Sequence, residues 1–370
     1  MRRFLYLLAA AAVAQSAFAA QSISVEELER KLVQLKGKSD GAAANEISGM
    51  QLTERASSAR LERWENELHG DRTRDALIAL VDASAFLKLP AADFSPAPPP
   101  DHETETQIMA RAVERLKTVF SVLPNFYATR GTTHFEDTLP GIQTQAMPST
   151  NLGKRGAGVV DNYSSMSTYE PIHRTARFDV TISYRDGTEV VEPPKGKVAE
   201  VAAGLTTSGE FGPILEVVVG DARRGKVVWD HWEQGPTGTL AVFRFSVPEP
   251  ESHFFVRLPN GSNVDTLHPG YHGEIAIDPE SGDIFRVMEV ADMQPPQDRV
   301  QAQLLVEYAP VALGDRSYVC PVRGVAIIKM PTSADRALQR ADAPALQTYL
   351  NDEAFTQYHL FRADTRIVTE

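Results

Sequence analysis

Cysteine is almost missing from this sequence, since Cys320 is the one cysteine among 370 residues. A single thiol excludes an intrachain disulfide framework. It also leaves no cysteine near the start of the chain, so we expect no lipid attached to an N-terminal cysteine. We assign no role to Cys320, because an unpaired cysteine in an exported protein is usually buried and inert.

Positive charge and long apolar runs are also scarce. The chain has 37 Lys and Arg against 49 Asp and Glu, a formal net charge of −12 at pH 7. An acidic chain is repelled by phosphate, so we expect no nucleic acid as a partner. Beyond residue 20 no apolar run approaches the roughly 20 residues that a membrane-spanning helix needs. The hydrophobic content of 42% is nevertheless that of a folded globular protein.

Residues 1–20 are predicted to be a signal peptide. Arg2 and Arg3 form a basic start, Phe4 to Ala14 are apolar, and small residues precede Gln21. This order is typical of a secretory leader. An apolar core of about 11 residues is short for a membrane span. We therefore predict export to the periplasm or the extracellular space, with the mature chain starting near Ala20.

Residues 21–89 are predicted to form a small helical domain. Ser24 and Glu27 have the spacing of a capping box, and Leu28, Leu32 and Leu35 follow at helical intervals. Two further amphipathic segments follow, separated from the first by a polar stretch over residues 36–45. Three short helices bury their apolar stripes by packing together, so we predict an antiparallel bundle.

Residues 90–103 are predicted to be a linker. Five of the eleven residues from Pro90 to Pro100 are proline, which favours extended backbone. A capping box at Thr104 and Gln107 then predicts a helix that ends at Pro124.

Residues 104–370 are predicted to form an antiparallel β domain with helical lids. Alternating apolar residues mark about ten strands. Asp186-Gly187 indicates one tight hairpin, and residues 278–282 form the turn of another. We expect one wet sheet face, a long irregular loop over 140–170, an inserted helix over 207–220 and further helix over 333–355. The predicted fold class is α+β: a helical bundle, then a large curved antiparallel sheet or incomplete barrel with an inserted helix.

The polar clusters in this sequence favour structural roles over chemistry. His268, His272 and Glu274 are residue types that bind zinc, but no fourth ligand is evident, and we predict no metal and no cofactor. In a regular strand Asp230 and His231 point to opposite faces, so an Asp–His pair is not expected there. We interpret Trp229 and Trp232 as aromatic anchors of that strand.

Several motifs resemble a family of exported, uncharacterised bacterial proteins of the acidobacterial type. They are Gly209 to Gly212, Trp229 to Glu233, Val242 to Val247, Tyr271 to Gly273, Ile277 to Gly282 and Cys320 to Val322. The order of helix, strand pairs and inserted helix is also similar to periplasmic lipoprotein-sorting carriers, whose incomplete barrel holds lipid under helical lids. That second similarity implies a fold and no site residues.

The leading functional prediction is a non-catalytic binding protein that holds a lipid or other apolar ligand in the curved sheet. The residues expected to line that site are Phe211, Leu215, Trp229, Trp232, Phe243 and Phe245. One alternative is a periplasmic hydrolase that uses His272 and Glu274 or Asp230 and His231. Another is an envelope assembly or interaction protein whose helical domain docks a partner.

Overall fold

A computed structural model describes residues 20–139, 141–146, 162–167, 169–192, 210–236, 238–260, 263–331 and 346–361. The predicted signal peptide up to residue 19, most of the predicted loop over 140–170 and the motif residue Gly209 lie outside these ranges.

Helices predominate up to residue 122, and strands predominate after it. The helices are α1 (Val25–Leu35), α2 (Asp40–Ser48), α3 (Ser58–Glu67), α4 (Asp71–Asp82), α5 (His102–Val122) and α6 (Pro213–Arg224). The first seven strands are β1 (Gln21–Ile23), β2 (Met50–Leu52), β3 (Phe126–Thr138), β4 (Gly141–Ala146), β5 (Asn162–Ser167), β6 (Glu170–Arg185) and β7 (Thr188–Glu192). The others are β8 (Lys226–Gln234), β9 (Thr239–Val247), β10 (Val256–Asn260), β11 (Asn263–Leu267), β12 (Gly270–Ile277), β13 (Ile284–Asp292), β14 (Gln301–Leu313), β15 (Arg316–Met330) and β16 (Gln347–Leu360).

The N-terminal helices share one apolar core. The capping box of α1 is present, with Ser24 Oγ accepting from the Glu27 amide and the Glu27 carboxylate accepting from the Ser24 amide. The described part has four helices here, not the three predicted. The polar stretch was wrongly predicted as a break, because Ala43, Ala44 and Ile47 bury one side of α2 in this core.

One ten-stranded antiparallel sheet dominates the rest of the described chain. Its order is β7-β6-β3-β16-β15-β14-β13-β12-β9-β8, and its two ends do not pair with each other. The fold is therefore α+β with an open, curved sheet, as predicted. The tight hairpin is confirmed, since Asp186 and Gly187 both have the positive φ that joins β6 to β7.

Both faces of the central strands are covered by helices. On the front face, α5 and α6 pack against alternating residues such as Val287 and Val306. On the back face, residues of α4 pack against their neighbours Met288 and Leu305. The prediction of one solvent-exposed sheet face is wrong for these strands, because the N-terminal helical layer covers the back face.

Three boundaries differ from the predictions. The described part of the predicted helix 333–355 is strand, because it pairs with β15 along one edge and with β3 along the other. Helix α5 begins at His102, and the side chain of Asp101 rather than Thr104 caps it by accepting from the Thr104 amide. The inserted helix runs from Pro213 to Arg224, four residues beyond the predicted end.

The described helices include none that combines the length and apolar character needed to span a membrane.

Candidate functional site

Two of the six predicted ligand-lining residues lie in the filled core. Phe243 and Phe245 are 2% and 3% exposed and pack among the residues of α5 and α6 on the front face. Core aromatics packed in this way contribute to stability by burial. Neither residue lines the small cavity formed by Phe211 and Leu215.

Trp229 and Trp232 lie side by side at the edge of the same core. Their ring centroids are 6.1 Å apart in an edge-to-face arrangement. Both indoles face the front, although regular alternation would place them on opposite faces. The cause is a β-bulge between Trp229 and His231, which adds one residue to β8 opposite β9.

Phe211 and Leu215 line a small cavity between the two front-face helices and the sheet. Leu116 and Leu123 of the α5 side, Ile284 of β13 and Val319 of β15 complete its apolar wall. The cavity has a volume of about 30 Å³, which is room for about one water molecule. The cavity is partly open to solvent, and it is also bordered by Arg115 and Asp283, which form an ion pair with an Nε–Oδ1 distance of 2.6 Å.

The polar end of this cavity is formed by Tyr308 and Glu210. Tyr308 is 3% exposed, and its hydroxyl has no hydrogen-bond partner in the described part of the chain. Burial, with the negative charge of Glu210 as a smaller influence, raises the pKa of Tyr308, which is therefore a neutral hydroxyl. Leaving a buried hydroxyl unpaired costs about 1–3 kcal/mol. A ligand or water that pairs with Tyr308 recovers that cost.

The densest polar cluster lies on the back face around His231. The same bulge that aligns the tryptophans turns Asp230 toward His231, so that Oδ2 of Asp230 is 2.8 Å from Nδ1 of His231. Oε2 of Glu233 is 3.4 Å from Nε2 of the same imidazole. The sequence prediction that Asp230 and His231 would not pair is therefore wrong. The ring of Phe94, from the proline-rich segment, packs edge-on against His231.

Both nitrogens of His231 are occupied by carboxylates. Burial lowers the pKa of His231, but the hydrogen bonds to Glu233 and Asp230 outweigh burial and raise it. A general base needs a free nitrogen within reach of a substrate, and both nitrogens of His231 face carboxylates. The arrangement therefore favours a structural role for His231 over proton transfer.

Glu233 joins His231 to two arginines. Nη2 of Arg286 donates to Oε2 of Glu233 at 2.8 Å, and its Nη1 donates to Oε1. Nη2 of Arg55, from the N-terminal layer, donates to the same Oε2 at 3.2 Å. Burial raises the pKa of Glu233, but Arg286 and these hydrogen bonds lower it much further, so the carboxylate stays ionised. Sequence reasoning missed both arginines, because neither lies near Glu233 in the chain.

His272 and Glu274 do not form a joint site. Nδ1 of His272 is 2.7 Å from Oδ1 of Asp292, at an exposed position. Glu274 instead lies 3.4 Å from a guanidinium nitrogen of Arg55 and of Arg286. Within the described ranges no group of three His, Cys, Asp or Glu side chains is placed to hold a metal ion.

A second buried polar group lies under α6. The fully buried carboxylate of Asp221 accepts from the His253 amide at 2.7 Å and from the Tyr271 hydroxyl at 3.0 Å. Glu289 of β13 is 1% exposed, and its Oε2 has no partner in the described part of the chain. Burial and the nearby charge of Asp221 raise the pKa of Glu289 to about 8, so it is mostly protonated at neutral pH.

Searches against family models, curated proteins and solved structures gave no match to this chain.

Proposed function

We propose that the protein is an exported, non-catalytic binding protein that holds an apolar ligand in the cavity between α5, α6 and strands β14 and β15. The lining of that cavity carries the proposal. Apolar side chains from both helices and from the sheet surround it, and the buried Tyr308 hydroxyl lies at its end without a described partner. A mostly apolar wall with one oriented polar group is typical of small-molecule sites.

Export and membership in the acidobacterial-type family are part of the same proposal. The leader-like first 20 residues support export, and the motifs from Gly209 to Val322 support the family resemblance. The open curved sheet with helices over its front face agrees with the carrier-like architecture that the resemblance implies, although architecture alone does not assign a ligand.

The size of the cavity restricts the ligand. Lifting α6 away would expose Ile214, Leu215, Val218 and Val219, at about 1.5–3 kcal/mol for each buried side chain. Binding of a small ligand releases less free energy than exposing these side chains costs. The cavity itself has room for about one water molecule, so an alkyl chain fits only after local movement of the side chains near Phe211 and Leu215, and a single narrow chain needs the least movement.

The polar end of the cavity restricts the head group. Tyr308 offers a neutral hydroxyl, and Glu210 places a carboxyl group beside it. An alcohol pairs with the Tyr308 hydroxyl as donor or as acceptor. Arg130 already lies 3.6 Å from Oε1 of Glu210, and Arg115 already pairs with Asp283, so a carboxylate would add an unmatched negative charge. A long-chain alcohol is thus preferred over the matching acid.

Ligand binding is tested on protein purified without detergent. Native mass spectrometry reports any apolar molecule that co-purifies, and thermal unfolding with 1-decanol or decanoic acid reports stabilisation by added ligand. We expect stabilisation by both, larger with the alcohol, because a ligand that binds the folded state raises its stability. Absence of a co-purifying apolar molecule together with no stabilisation by either probe would overturn the proposal.

A matched pair of variants locates the site. Val319→Phe adds bulk to the cavity wall, whereas Val228→Phe adds the same bulk at a 39% exposed position on β8. We expect Val319→Phe to abolish stabilisation by 1-decanol and Val228→Phe to leave it unchanged. Equal responses of the two variants would place the ligand elsewhere.

The hydrolase and docking alternatives receive less support. His231 has no free nitrogen, and His272 and Glu274 have separate partners. Docking of a partner by residues 21–89 stays a prediction, and the structure already places one side of α4 against the sheet.

A further inference from the structure

A second recess lies where α6 ends, at the edge of the sheet. It is lined by the end of α6, the start of β8, the end of β9 with the turn after it, the start of β12 and the end of β13. Its volume is about 460 Å³, within the range of roughly 300–1,000 Å³ that is typical of small-molecule sites. Unlike the cavity beside Tyr308, it is bordered mainly by polar groups, so it suits a different ligand.

Two cations border the recess on the β8 side. Arg224 is held in place because its Nη2 donates to the fully buried carboxylate of Asp221 and its Nε lies 3.7 Å from Oε2 of Glu251, and its side chain remains 47% exposed. Lys226 is exposed and forms no ion pair with any residue that the structure describes. One cation is therefore oriented in advance, and the other is available to a ligand.

Two carboxylates border the recess on the other side and at its floor. Asp292, at the end of β13, is held by Nδ1 of His272 at 2.7 Å and remains 42% exposed. The side-chain amide of Gln294 donates to the Asp292 carbonyl at 3.3 Å and fixes the chain that follows. Glu249 lies exposed in the turn after β9. The recess thus offers both signs of charge and no net charge.

The sheet order sets the distance between the two charged sides. Strands β12 and β9 lie between β13 and β8. Three steps of about 4.8 Å separate the backbones of β13 and β8 by about 14 Å. The long side chains of Arg224 and Lys226 shorten this gap. An extended peptide advances about 3.3 Å per residue, so about three residues span the remaining distance.

We propose that this recess binds a short peptide of about three residues with both termini free. Its carboxylate pairs with Arg224 and Lys226, and its ammonium group pairs with Asp292 on the far side of the recess. A purely anionic ligand is repelled by the two carboxylates, and a purely cationic ligand by the two cations. A zwitterion of this length satisfies both sides at once.

The test is isothermal titration of the mature chain with trialanine, N-acetyl-trialanine and trialanine amide. We expect trialanine to bind and each cap to weaken binding at least about tenfold, because each cap removes one of the two charge pairs. No binding of trialanine at millimolar concentration overturns the proposal. If amidation alone weakens binding, the recess is a simple anion site, and the peptide assignment is wrong.

Substitutions at exposed positions test where trialanine binds without disturbing the fold. Lys226→Gln and Asp292→Asn are each expected to weaken trialanine binding at least about tenfold. The control variants Lys117→Gln on α5 and Glu280→Gln in the β12–β13 turn change equivalent charges at exposed positions away from the recess. They are expected to bind as the unmodified chain does. Unchanged binding by Lys226→Gln and Asp292→Asn places the peptide outside the recess.

Discussion

Arg55 and Glu233 lie 178 residues apart in the chain, yet Nη2 of Arg55 is 3.2 Å from Oε2 of Glu233. Arg55 belongs to the N-terminal helical layer, and Glu233 belongs to β8, an edge strand of the sheet. Their side chains are 6% and 7% exposed, so solvent does not screen the pair as it does at a surface. This ion pair joins the helical layer to the back face of the sheet, beside the apolar contacts of α4.

Replacing Glu233 should be among the most damaging charge-removing substitutions in the protein. Glu233→Gln leaves the buried guanidinium groups of Arg55 and Arg286 with Glu274 as their nearest carboxylate. Removing one partner of a buried ion pair costs about 3–5 kcal/mol. We expect a loss of that size in the free energy of unfolding, measured by urea denaturation.

The matched control for Glu233 is Glu280→Gln, in the exposed β12–β13 turn, which should change stability by less than about 0.5 kcal/mol. Similar small effects for both variants would show that the Arg55–Glu233–Arg286 contacts contribute little net stability.

His231 should make a pH-dependent contribution to stability. Since its folded-state pKa is raised above the unfolded value of 6.5, its contribution is full below pH 6.5 and is lost as the pH rises through the folded-state pKa. We expect His231→Gln to destabilise the protein at pH 6 and to have a smaller effect at pH 9. His102→Gln, at a side chain that is 95% exposed, is the control. Equal losses for His231→Gln at the two pH values would contradict the raised pKa of His231.

Glu289 should lower stability as the pH rises. Burial first, and the charge of Asp221 second, raise its folded-state pKa to about 8, against 4.5 in the unfolded chain. The contribution of Glu289 to the free energy of unfolding is therefore largest below pH 4.5. It decreases between pH 4.5 and 8 and is constant above pH 8. At about 1.4 kcal/mol per pH unit, the change is up to about 5 kcal/mol.

The comparison for Glu289 is the variant Glu289→Gln, which keeps the shape and does not titrate. Its advantage in the free energy of unfolding over the unmodified chain should grow from pH 5 to pH 8 and then level off. Urea denaturation at each pH measures it. Parallel pH curves for the two proteins would mean that Glu289 titrates normally.

The sequence predicted the sheet well where turn chemistry and alternation agree. Asp186-Gly187 supplies the positive φ values of a tight turn, and the carboxylate of Asp278 accepts from the amides of Glu280 and Ser281 in the longer turn. The part of β16 up to Phe355 was mistaken for helix, because it contains good helix formers such as Leu350 and Ala354. Its pairing with β15 on one side and β3 on the other outweighs that local preference.

The candidate sites were less predictable because they depend on register. Phe211 and Leu215 were found from helical spacing, and they do border a cavity. The segment Trp229 to Glu233 was singled out, but its contacts were not predicted, because no glycine or proline signals the bulge at Asp230 and because Arg55 follows no periodic pattern. Such a cluster forms only when strands β8, β9, β12 and β13 align.

Two glycines should respond in opposite ways to the same substitution. A Cβ atom at Gly273 of β12 would lie 1.7 Å from the backbone carbonyl oxygen of Met288, on the neighbouring strand, whereas a Cβ at Gly220 of α6 meets nothing within 4 Å. Backbone cannot move aside as a side chain can, so Gly273→Ala must separate β12 from β13 and should cost more than about 3 kcal/mol. Gly220→Ala should stabilise the protein by about 0.5–1 kcal/mol, because alanine is the better helix former. Urea denaturation of the two variants measures both changes. Equal stability of Gly273→Ala and the unmodified chain would contradict the β12–β13 register, on which the placement of Glu274 and Glu289 depends.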